Sequence, residues 1–174
     1  MTEAWLTGPV DGVDPFLMPA AHAFLQVQRE LPALVSGLTM DELWARPGES
    51  ASIGFHAMHI AGATDRLLTY ARGTPLSDAQ RSALKAETTR GGLDAATLVA
   101  EANVAIDAAL AQIRATPRGT LIEAREVGNR RLPSTVLGLI VHAAEHATRH
   151  AGQIATLRRI VHRSTTSNDE HSAP

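Results

Sequence analysis

No cysteine occurs anywhere in the 174 residues. That excludes disulfides, thiolate zinc ligands and a cysteine nucleophile, and any thiol chemistry must draw its sulfur from a second molecule. A chain without disulfides fits the cytoplasm, which is the expected location. Aromatic residues are scarce as well, at 3%, while 44% of the residues are hydrophobic and Ala and Leu dominate. Such a composition favours closely packed helices over a sheet sandwich. Charge of one sign is also missing: 16 Lys and Arg face 18 Asp and Glu, for a net charge of −2. With no basic stripe interleaved with aromatics, no nucleic-acid partner is expected. The start, Met1-Thr2-Glu3-Ala4-Trp5, lacks the basic and apolar segments of a signal peptide. The apolar run before the histidines, Leu137 to Val141, is too short to cross a bilayer, so a soluble protein with no membrane partner is expected.

What is present is helical periodicity with clear punctuation. The pattern predicts a first helix from Asp14 to Ser36, with Phe16, Leu17, Phe24, Leu25, Leu31 and Leu34 as its apolar contacts and Gly37 ending it. Pro32 should kink or break it near the end. Thr39, with Glu42 three residues on, is a capping-box start for a short helix that Arg46-Pro47-Gly48 closes. Ser52 caps a second long helix, Ile53 to about Arg72, and Asp94 a third, Ala95 to about Ala115. A weaker helix fits between Asp78 and Thr89. Gly119 to Leu132 reads as a loop or short hairpin around Gly128-Asn129. Pro133-Ser134 then opens a last long helix to about His162. The expected architecture is all-α, a four-helix bundle with a short additional helix, forming one domain over residues 1–163. Residues 164–174 are polar and aperiodic and are expected to be a disordered tail.

The last helix carries the chemistry. His142, His146 and His150 recur every four residues, so their imidazoles share one helix face. Leu or Ala would fill that space without a polar cost, whereas imidazole is the commonest metal ligand. The second long helix adds His56 and His59, three apart. A catalytic zinc-type site takes about three protein nitrogens and leaves one position open. One histidine from the second helix and a pair from the last would supply them.

Two stretches also resemble the DinB/YfiT-like proteins. One is Ser52 to Leu68, with His59 before Ile60-Ala61-Gly62 and Asp65-Arg66. The other runs from Leu132-Pro133-Ser134 through His146-Ala147-Thr148-Arg149-His150-Ala151-Gly152-Gln153. The resemblance covers roughly Phe16 to His162. It implies a four-helix bundle in which His59, His146 and His150 hold a divalent metal, zinc or nickel. It further implies a thiol S-transferase using bacillithiol or a similar small thiol, or a metal-dependent hydrolase, or a non-catalytic metal-binding bundle. The implied partner is a small-molecule substrate, and the resemblance leaves room for a homodimer.

A second motif competes. His142-Ala143-Ala144-Glu145-His146 satisfies H-x-x-E-H, a zinc-peptidase pattern in which both histidines are ligands. That register needs a further acidic ligand downstream, and only Asp169 and Glu170 follow, in the expected tail. Glu145 and Arg149 have the spacing of a surface ion pair. Gln153 is a candidate for orienting substrate or for a structural amide, and His142 for lining the pocket. Asp65 and Arg66 are read first as a solvated helix face, and otherwise as a carboxylate partner and an anion anchor. Catalytic residues other than metal ligands are not assigned.

Overall fold

The computed structural model describes residues 2–89 and 91–169. Within them lie α1 (Met18–Val35), α2 (Met40–Trp44), α3 (Ile53–Ala71), α4 (Asp78–Ala86), α5 (Ala95–Ala115) and α6 (Val136–Asp169). A small antiparallel hairpin, β1 (Ala124–Val127) and β2 (Leu132–Thr135), joins α5 to α6. The four long helices α1, α3, α5 and α6 form the bundle, with α3 packing most extensively on α6 and α5. One core runs through all four. Phe24, Leu31, Ile60, Leu98, Ile106, Ile113, Ile140 and Ile154 are fully buried in it. The fold is mostly all-α, as the composition and periodicity predict.

Local signals set the helix starts. Ser52 Oγ accepts from Phe55 N at 3.1 Å, and Asp94 Oδ1 accepts from Thr97 N at 2.7 Å. Both fill donors that a helix N-terminus leaves open. At Thr39 the capping box is complete, Glu42 N donating to Thr39 Oγ1 and Thr39 N to Glu42 Oε2. Ser77 and Gln80 form a second box at the start of α4.

Several boundaries differ from expectation. α1 begins at Met18, not Asp14, with Pro19 in its first turn where proline costs least. Phe16 is therefore outside the helix and exposed, with the Arg118 guanidinium 4.4 Å above its ring. Pro32 neither shortens nor divides α1, which carries it to Val35. α4 stops at Ala86, short of Thr89, leaving Glu87 as its C-cap. Pro133-Ser134 belong to β2, and α6 starts only at Val136. Leu132, which precedes a proline, is biased to extended backbone. Pro133 pairs opposite Glu126 in a two-stranded sheet, where each strand is an edge and a missing N–H is tolerated. At the other end α6 continues past His162 to Asp169, and residues 170–174 of the expected tail lie outside the described residues.

Among the described helices, α5 alone is long and apolar enough to cross a membrane by length and composition. Its Leu98, Ala102, Ile106, Ala109, Leu110 and Ile113 are buried, and it packs on α1 and α3. That is the environment of a core helix in a bundle.

Candidate metal centre

His59 on α3 and His146 and His150 on α6 meet where these two helices pack. His146 Nε2 lies 3.1 Å from His59 Nε2 and 3.2 Å from His150 Nε2. One ring nitrogen from each residue falls within 4.8 Å of the others, and all three side chains are half-buried. The group contains no carboxylate. Four-residue spacing on α6 stacks His146 and His150, while crossing of the helices brings in His59. Phe55, one turn before His59, stacks on its ring with centroids 5.3 Å apart and planes inclined by 13°.

The nitrogen geometry fits a cation. A metal held tetrahedrally at 2.0–2.1 Å places ligand nitrogens roughly 3.3 Å apart, close to the two short separations here. His146 Nε2 faces two other ring nitrogens, and a single proton on it can serve only one of them. A cation would take all three lone pairs at once.

Each histidine is held differently from behind. His59 Nδ1 lies 2.8 Å from Glu87 Oε2, and Glu87 is gripped by both terminal nitrogens of Arg66, Nη2 at 3.2 Å from Oε2. His150 Nδ1 lies 2.7 Å from His56 Nδ1, one nitrogen donating and the other accepting. His146 Nδ1 is buried without a hydrogen-bond partner, so that ring is held from its Nε2 side.

Burial sets the electrostatics. Desolvation first, and then the neighbouring charges of His146, His59, His56 and Arg149, lower the His150 pKa to about 3. His146 and His56 are lowered for the same leading reason, burial. His56, His146 and His150 are therefore neutral at ordinary pH, and neutral imidazole is the form that ligates metal. Burial alone would raise the Glu87 carboxyl. Hydrogen bonds from His59 and Arg66, together with their charge, bring it below the usual carboxylate range.

The other candidates are dispersed. His56 is buried behind His150, on the ring edge away from the nitrogen cluster, so that of the two histidines of α3 His59 is the one in the cluster. His142 is exposed, 3.5 Å from Glu145, and Glu145 is tied to Arg149 with Nε at 3.0 Å. The expected ion pair is present, and among the described residues the H-x-x-E-H register does not assemble a site. Of the two acidic residues that register could draw on, Glu170 lies outside the described residues. Gln153 is exposed, as is Asp65, whose carboxylate accepts from Gln80. Arg66 departs from its first reading as part of a solvated face: it is 8% exposed and paired with Glu87.

A bundle that joins a histidine before Ile60-Ala61-Gly62 to an H-x-x-x-H pair on its last helix is matched by a family model over residues 23–154. The chain belongs to the DinB superfamily. Among curated proteins none matches this sequence. In this DinB-superfamily chain the matched span includes all three clustered histidines, His56, Arg66 and Glu87.

Sequence reasoning missed Glu87 altogether. It follows a weak helix, carries no motif, and sits 28 positions from the histidine it touches. Gly62 offered one signal. A Cβ there would overlap Glu87 Oε1 and lie 2.7 Å from Arg66 Nη1. A glycine in mid-helix costs about 1 kcal/mol relative to alanine, so it points to something that must pass closely.

Proposed function

We propose that His59, His146 and His150 bind a divalent metal, zinc or nickel, and that the protein is a metal-dependent S-transferase for a low-molecular-weight thiol of the bacillithiol type. The observation that carries this reading is the convergence of three Nε2 atoms, with no fourth His, Asp or Glu in the group among the described residues. A purely structural zinc normally closes its coordination with four protein ligands, whereas three leave a position for a reactant. A divalent ion there supplies a Lewis-acid position at which a thiol ionises near neutral pH.

The chain's own residues divide the remaining work. Three neutral imidazoles leave the ion's charge undiminished, and Phe55 packs against one of them. Glu87, the carboxylate in contact with the group, is occupied by His59 and Arg66. It is therefore not free to act as a general base toward a bound reactant. A thiol needs no such base once its pKa is lowered. The absence of cysteine means that the sulfur arrives with a co-substrate. The reading includes a small-molecule electrophile as second substrate and a cytoplasmic location.

The test is elemental analysis of purified protein, followed by assays of metal-loaded protein with bacillithiol and a panel of electrophiles. S-conjugation that needs both metal and thiol supports transfer. Thiol-independent cleavage of esters or amides by the same three ligands would replace it with a hydrolase. Absence of both activities, with a protein side chain found in the fourth position, would leave a structural metal.

A further inference from the structure

Glu87 occupies a place that local preferences disfavour. As the C-cap of α4 it puts a negative charge at the negative end of a helix, where a cation is favoured. It is also only 6% exposed, and burying a carboxylate costs several kcal/mol unless it is paired. Two features accommodate it. Arg66 grips both carboxylate oxygens, and Gly62 leaves the gap through which Oε1 reaches Arg66. The remaining lone pairs of Oε2 face His59 Nδ1 at 2.8 Å.

An ionised carboxylate only accepts hydrogen bonds. The 2.8 Å contact therefore puts a proton on His59 Nδ1, so that in the neutral ring, the form that ligates metal, the lone pair is on Nε2, the atom facing His146. Arg66 keeps the carboxylate ionised and stops it rotating away. We propose that Glu87, braced by Arg66 in the space left by Gly62, is the positioning residue that fixes the tautomer and ring orientation of His59 for metal binding. This rests on the metal reading above. It also makes α4, which buries no residue of its own, the carrier of one essential contact. Carboxylates behind a ligating histidine raise its basicity, and their loss costs about 10- to 100-fold in metal affinity.

The experiment compares the parent chain with Glu87→Gln, Gly62→Ala and the double variant Arg66→Met/Glu87→Leu. The double variant removes the buried pair as a unit, so no unpaired charge is left to unfold the protein. Zinc affinity is measured by competition with a chromophoric chelator. The His59 tautomer is read in metal-free protein from imidazole nitrogen NMR shifts, assigned with a His59→Gln variant. The expected result is a 10- to 100-fold weaker zinc affinity in the variants, with the His59 proton no longer confined to Nδ1. Metal-free melting of the double variant should stay close to that of the parent. Unchanged affinity and tautomer in a folded double variant would overturn the proposal and reduce the Arg66–Glu87 pair to a helix clamp. Should the parent bind neither zinc nor nickel, the metal reading fails by itself. The tautomer measurement then still decides whether Glu87 positions His59.

Discussion

His59 and Glu87 touch at 2.8 Å across 28 positions of sequence, one in the middle of α3 and the other at the end of α4. The same carboxylate closes an ion pair with Arg66, two turns along α3 from His59. A helix that buries nothing else is thereby joined to the histidine cluster. The histidine cluster is thus in contact with an element outside the four-helix core.

His150→Ala should abolish tight metal binding, and His146→Ala should do the same, because each removes one of three converging nitrogens. His142→Ala should retain the metal, since His142 is exposed and outside the group. Metal content after gel filtration, by elemental analysis, checks both. Retention by His150→Ala with loss from His142→Ala would move the site to the H-x-x-E-H register.

Chelation should lower the melting temperature. Metal at 100 times its dissociation constant stabilises the folded state by about 2.7 kcal/mol. For a chain of this size that corresponds to a shift on the order of 5–10 °C. Scanning calorimetry with and without chelator at neutral pH is the measurement, and identical melting curves would mean that metal binding is not coupled to folding.

The metal-free protein should lose stability in mild acid. His150 titrates near 3 in the folded state against an ordinary value of 6.5, and His146 and His56 are lowered too. Between these limits the unfolded chain binds more protons than the folded one, so stability rises with pH and falls as pH drops from about 6.5 toward 3. Above about 7 these groups contribute no slope. Urea midpoints at pH 7.5, 5.5 and 4.5 should decline in that order, and His150→Gln should flatten the trend.

Gly54→Ala should destabilise the fold by about 1–3 kcal/mol, the usual cost of overpacking a core. A Cβ at Gly54 would stand 2.8 Å from the Trp44 indole, whose Nε1 donates to Leu93 O at 3.0 Å. Denaturant unfolding gives the magnitude. The defect should be one of stability, with the histidine geometry intact, because the Trp44 indole hydrogen-bonds to Leu93 and not to the three clustered residues.

Much of this protein was decided one residue stretch at a time. Thr39, Ser52 and Asp94 start their helices through contacts three residues away, so these boundaries follow from neighbouring residues alone. The pairing of His146 with His150 follows equally from the 3.6-residue turn. Other features needed the packed chain. His56 and His59 differ by about 60° around α3, an angle too small to tell from periodicity which one meets α6. Only the crossing of α3 and α6 places His59 in the cluster and His56 behind His150. Pro133-Ser134 read as a helix start, yet pairing with Arg125 and Glu126 draws them into a strand, because cross-strand contacts outweigh a weak local preference. Burial of Arg66 and Glu87 was likewise invisible, since a charged residue is solvated by default and becomes buried only when tertiary packing supplies its partner.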